Sequence, residues 1–291
     1  MPNTNQSVQL SIGRVASLAC LLEVCAAKPG NVHRGADFED MTMNDFVISA
    51  ELFGQAIDAR KTDELGLMIL DSVRSTQSLV EVNTNLGIIL LTCPLAIAAN
   101  DGELSSTAIR RLLKATKPED AENIYEAIRL ASPGGLGETA EMDVAGGAPT
   151  DILDAMRYSS DQDLVARQYT NNFQQVFDDV VPLLSGGQKQ FGSINEAIIY
   201  AHVSMLARYG DSLILRKCGA GDFERVQSMA CRALELLIES GRDAYLSAVG
   251  ELDFWLRSSD GNKRNPGTTA DLITAGLFVG IINEEITAPF K

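Results

Sequence analysis

Apolar residues in this chain recur at three- and four-residue steps almost from end to end, and nowhere do they alternate. Ile12, Val15, Ala16, Ala19, Leu22 and Ala26 lay one apolar stripe along a helix that must stop at Lys28-Pro29. Proline lacks an N–H and disfavours helical geometry in the residue before it. The same spacing predicts helices over 45–60, 64–76, 86–99, 105–115, 119–131, 150–158, 161–184, 194–208, 224–240, 243–257 and 268–282. The nearly all-apolar 86–99 run belongs at the centre. Ser193 with Glu196 and Thr268 with Asp271 have the spacing of capping boxes. With no strand pattern and no solenoid period, the chain predicts an all-α fold. Residues 1–291 form a single-domain multi-helix bundle, 1–10 a flexible N-terminal segment, and the site sits at helix-end loops.

Charge limits the partners. A net charge of −15 over 291 residues argues against nucleic acid and anionic membranes. Any anionic ligand must then be held by local cations or a divalent metal. The five cysteines form no CxxC pair and are odd in number, which reads as reduced thiols rather than disulfides or zinc. No signal-peptide pattern opens the chain, and the most lipid-like run contains Pro94 and is too short for a bilayer. The expectation is a soluble cytoplasmic protein, with a homodimer left open.

Five loop segments carry unusual chemistry: 28–41, 82–87, 133–145, 210–219 and 265–271. The first sets Lys28, His33 and Arg34 among Gly30 and Gly35, which suits a phosphate-rich ligand or, equally, a tight connection. Asn83-Thr84-Asn85 can cap the apolar helix or turn its N–H groups toward an anion. Glu138, Glu141 and Asp143 after a glycine run can hold a divalent cation or form a solvated acidic loop. Asp211, Arg216 and Lys217 read as a surface ion pair or as site charges. Asn265-Pro266-Gly267 is a turn, and Asp271 is explained by capping alone. His202 reads as a packing histidine. If the helices pack antiparallel, several of these ends meet on one face.

In order, Glu23-Val24, Lys28-Pro29-Gly30, Arg34, Asp40-Met41, Asn83 to Gly87, Gly134 to Glu138, Asp211-Ser212, Arg216-Lys217, Gly219 and Asn265 to Leu272 resemble the triphosphoribosyl-dephospho-CoA synthase family. The resemblance runs from about Ser11 to Ile282. It implies an all-α, ATP-dependent transferase. The 2′-hydroxyl of 3′-dephospho-CoA attacks C1′ of the ATP ribose, adenine leaves, and the triphosphate stays on the transferred sugar, giving a prosthetic-group precursor. Positive charge develops at C1′, as in glycoside cleavage. The chemistry calls for a carboxylate, a donor to the base, and Mg²⁺ with cations on the phosphates.

The resemblance implies roles residue by residue. Lys28, Gly30, Arg34, Asn83, Thr84, Asn85, Gly87, Arg216, Lys217, Asn265, Gly267, Thr268 and Thr269 are expected at the phosphates and nucleotide. Glu23, Asp40 and Asp211 are expected as catalytic carboxylates, and Glu138 and Asp271 as metal ligands. Two motifs depart from the lyase-associated members, which carry Thr-His-Lys-Gly where this chain has Thr84-Asn85-Leu86-Gly87 and Arg-Gly-Gly where it has Arg216-Lys217-Cys218-Gly219. The chain looks closer to a divergent branch found in users of methanopterin. Two other readings stay open: a different Mg²⁺-dependent nucleotide or phosphoribosyl enzyme of one-carbon cofactor synthesis, and a non-catalytic nucleotide-binding scaffold.

Overall fold

A computed structural model describes residues 10–60, 64–132, 142 and 144–290. Among them it has fourteen α-helices and, in place of any strand, one isolated bridge between His33 and Ala36. In chain order these are α1 Ile12–Cys25, α2 Met43–Ala59, α3 Leu65–Gln77, α4 Leu86–Asn100, α5 Ser106–Lys114, α6 Pro118–Ala131 and α7 Ile152–Ser159. There follow α8 Leu164–Asn171, α9 Val181–Phe191, α10 Ile194–Tyr209, α11 Ser212–Cys218, α12 Ala220–Glu239, α13 Arg242–Arg257 and α14 Gly267–Ile282. The expected all-α architecture is the observed one. The expectation for 1–10 falls, except for Leu10, outside the described residues.

Two helices apolar on every face, α4 and α14, pack together at the centre. Helices α1, α3, α8 and α9 wrap them, and the main apolar cluster runs through all of these. Pro94 sits buried inside α4 without ending it. A second, smaller cluster joins α10 to α13 through Val203, Leu206, Val226, Leu252 and Leu256.

The structure corrects the periodicity in two places. The 161–184 run is not one helix. It breaks after α8, where Asn172 and Phe173 take positive φ of 58° and 63°, then resumes at Gln175 in a wide π-turn that leads into α9. Phe173 is fully buried at that break, so core packing holds a backbone that the local pattern does not ask for. The 210–219 segment is helical rather than a loop, because Asp211 caps α11. Neither capping box forms as spaced. Glu196 pairs with Arg242 instead, and α14 opens at Gly267, one residue ahead of Thr268.

Candidate active site

All five loop segments contribute to one cavity of about 690 Å³, within the usual size of a small-molecule site. Its polar half is lined by Glu23, Asn31, Asp40, Asn83 to Gly87, Arg216, Lys217, Asn265, Gly267, Thr268 and Asp271. Its apolar half is walled by Ile128, Ala131, Ile152, Ala155, Met156 and Val165 from α6, α7 and α8. The 133–141 stretch and Asp143, and with them the expected ligand Glu138, lie outside the described residues, although their neighbours Ser132, Met142 and Val144 line the cavity.

Glu23, in the last turn of α1, is buried with Lys28 at 2.9 Å. The Lys28 ammonium also donates to the Glu23 and Ala26 carbonyls at 2.6 and 3.2 Å. Its recorded contacts are therefore all with the protein, two hydrogen bonds and one ion pair, and Lys28 does not line the cavity. Burial pushes the Glu23 carboxyl above its ordinary range, and the charge of Lys28 pulls it back. Behind Lys28 lies His202, fully buried, which burial drives down to about 3. It is a neutral packing residue, as expected.

Asp271, on α14, faces the cavity with neither a hydrogen bond nor an ion pair to any described residue. Its carboxylate lies against Gly87 in the first turn of α4, where a Cβ would stand 2.0 Å from Oδ2. Desolvation raises its pKa well above 3.8; Glu23, Asp211 and Asp163 add to the rise, and Arg216 opposes it. A carboxylate so placed, short of compensating positive charge, is a seat for a cation or a proton.

Helix starts surround this group. Asn83 Oδ1 accepts from Leu86 N–H at the head of α4. Asn85, the N-cap residue, is buried with its Nδ2 unpartnered. Asp163 caps α8 and binds Arg216 at 2.6 Å, while Arg216 Nε is buried without a partner. Lys217 is exposed on the cavity rim. Asp211 is fully buried: Oδ1 accepts from Leu213 and Ile214 N–H, and Oδ2 from the N–H and Oγ1 of Thr269. Its four hydrogen bonds clamp the starts of α11 and α14 to one another. Ser212 continues the clamp to Thr268 and to Leu164 N–H. Three helix N-termini, those of α4, α8 and α14, thus point partial positive charge at the cavity.

Several expected site residues sit elsewhere. Lys28, Gly30, Arg34, Asp211 and Thr269 are not among the lining residues. Lys28, Asp211 and Thr269 support the wall from behind, Gly30 packs under Leu256 and Pro266, and Arg34 is exposed. Conversely, Asn31, Asp163 and the apolar wall line the cavity without having been singled out. Asp163 ahead of Leu164-Val165-Ala166 carried a cap signal, but nothing local in 128–166 marks a ligand wall.

For Mg²⁺ the donor set is suitable in kind: carboxylates of Asp271, Glu23 and Asp40 with amides of Asn85 and Asn31. Among the described residues no three His, Cys, Asp or Glu side chains gather closely enough to cage a metal. That fits an ion held by one or two carboxylates together with substrate phosphates, the usual arrangement for Mg²⁺.

A crystal structure from Archaeoglobus fulgidus, assigned as a triphosphoribosyl-dephospho-CoA synthase, superposes with a TM-score of 0.62 at 24% identity. The match covers 80% of this chain and 96% of that one, so the fold is shared. Among curated proteins no relative matches. The family model described as ATP:dephospho-CoA triphosphoribosyl transferase matches residues 9–289. The chain belongs to that family, and is a transferase carrying a triphosphoribosyl group from ATP to dephospho-CoA.

Proposed function

We propose that the polar half of the cavity binds the triphosphate and ribose of Mg²⁺-ATP and that the apolar half takes a flat or acyl-like part of the substrates. The observation that carries this reading is the meeting of Glu23, Asp271, Arg216 and Lys217 with three helix starts around one cavity. The helix starts and the two cations offset three phosphates. Mg²⁺, when bound, neutralises phosphate charge; Asp271 with Asp40 would hold it, since Asp271 has no counter-charge paired to it.

Glu23, paired with Lys28, is the base. The acceptor hydroxyl oxygen forms a bond to C1′ as the C1′–N9 bond breaks, Glu23 takes the hydroxyl proton, and adenine carries the bonding pair away, to be protonated at nitrogen. Asn85 Nδ2, buried and unpartnered, donates a hydrogen bond to the departing base. An amide cannot transfer a proton as a histidine would, so departure in this chain leans on hydrogen bonding. Five free cysteines fit a reducing, cytoplasmic setting.

Chromatography of adenine released from ATP, with and without 3′-dephospho-CoA and Mg²⁺, tests the reading. Adenine is expected only when both are present. Mg²⁺-ATP binding without adenine release would move the site to another acceptor, which the Asn85-Leu86 replacement of His-Lys favours as the second reading.

A further inference from the structure

Asp253 and Arg257 line no part of the cavity and belong to none of its motifs, yet they hold two of its loops. Asp253 Oδ1 accepts the Gly30 N–H at 2.7 Å. Both Asp253 oxygens accept from Arg257 Nε, at 2.8 and 3.0 Å. Arg257 then reaches on: Nη2 donates to the Asn31 carbonyl, and its guanidinium stacks 5.7 Å from the centre of the Phe38 ring. Asn31 Nδ2 in turn donates to Asn265 Oδ1 at 2.6 Å, and both asparagines line the cavity.

The loop has no slack around this contact. Gly30 has φ of +78°, and a Cβ there would meet Leu256 Cδ1 at 2.7 Å and Pro266 Cδ at 2.8 Å. It is therefore pressed into a slot between α13 and the turn that opens α14. Helix α13 is part of the smaller apolar cluster, α14 of the larger, so this slot lies where the two approach each other. A partly exposed ion pair by itself contributes little to stability. This one directs its remaining hydrogen bonds at main-chain atoms of a site loop.

We propose that Asp253 and Arg257, one turn apart on α13, are a positioning pair: they fix the Asn31–Asn265 amide contact and so set the spacing of the two loops that meet the nucleotide. The nucleotide's presence there rests on the function proposed above; the spacing does not. Lysine in place of Arg257 keeps the charge opposite Asp253 but loses the planar fork that spans Asp253 and the Asn31 carbonyl together.

The test compares wild type with Asp253→Ala, Arg257→Gln and Arg257→Lys, by amide hydrogen exchange and by adenine-release kinetics. Exchange over 28–33 should quicken in all three variants while the central helices α4 and α14 stay protected. KM for ATP should rise about tenfold or more, with kcat changed by less than about threefold, since a loop displaced by an ångström weakens binding before it alters the reacting groups. A pair that only stabilises the fold would lower the melting temperature and the active fraction at unchanged KM, and that result overturns the proposal. Unchanged exchange at 28–33 overturns it too. If Arg257→Gln does not fold, Arg257→Lys decides. A wild type that releases no adenine refutes the proposed function, and the exchange measurement then decides the positioning role alone.

Discussion

The Asp271 carboxylate presses on the main chain of Gly87 so closely that a Cβ there would stand 2.0 Å from Oδ2 and 2.5 Å from Cγ. Glycine at this position is thus a requirement of the acid, not of the helix. Gly87→Ala should improve helix propensity by about 1 kcal/mol while forcing the carboxylate to swing into the cavity. Stability should therefore change little, and adenine release should fall about a hundredfold, the scale of an ångström's misplacement. Thermal melting and kinetics on the same preparation check both halves; full activity would mean that Asp271 can sit elsewhere.

Asp271 also predicts a pH signature. Desolvation, then Glu23, Asp211 and Asp163, raise its folded pKa well above 3.8, so the folded state binds this proton more tightly than the unfolded chain. Its contribution to stability falls as pH climbs from 3.8 through the raised value. Asp271→Asn removes that loss. The variant should melt higher than wild type at neutral pH without Mg²⁺, with the difference closing below 3.8. Added Mg²⁺ should raise the melting temperature of wild type and leave Asp271→Asn unmoved. Equal Mg²⁺ responses would take the metal away from Asp271.

Most helices are legible because each buries a stripe against the core, written at three- and four-residue steps, and α4 and α14 because they are apolar all round. What was not legible is where side chains point once helices have packed. Lys28 and Asp211 stand in the most specific motifs, yet each turns inward, Lys28 onto Glu23 and Asp211 onto the start of α14. A motif marks a position as important to a site without saying whether it faces the ligand or holds the residue that does. The α11 segment reads as loop in sequence because the helix has only seven residues and lies between Gly210 and Gly219. The apolar wall of α6 to α8 left no signal, since a residue lining a cavity and one filling a core follow the same period.

Asn85 gives a prediction with opposite signs for stability and function. A buried amide nitrogen without a partner destabilises a fold by about 1–3 kcal/mol. Asn85→Ala should therefore be no less stable than wild type in denaturant titration, while releasing adenine more slowly. Asn85→His restores a group able to give the base a proton, and should recover rate as pH falls toward the imidazole's range. A destabilised Asn85→Ala would show that the amide is satisfied in the folded protein.

Lys28 separates a support role from a phosphate role. Removing it strands the buried Glu23 carboxylate, so Lys28→Met should cost about 3–5 kcal/mol. Adding Glu23→Gln should return much of that stability without returning activity, because the base is gone. Urea titration of the two single variants and the double variant measures the coupling. A Lys28→Met protein of ordinary stability with a raised KM for ATP would instead make Lys28 a phosphate ligand.

Asp211 was expected to act on substrate, and its surroundings argue for a different duty. Both oxygens are filled by four donors from α11 and α14, leaving no lone pair directed at the cavity. Asp211→Ala removes the caps of two helices at once and should cost about 1–4 kcal/mol, taking each cap at its usual worth. Asp211→Asn keeps one acceptor oxygen, and should lie between the two in stability. Per folded molecule, the Asn variant should still release adenine within about tenfold of wild type, since the reacting groups keep their place apart from a relaxed Thr268–Thr269 turn. A general base replaced by its amide would behave in the reverse manner, with melting intact and turnover abolished. Melting and turnover of Asp211→Asn, measured together, decide between clamp and catalyst.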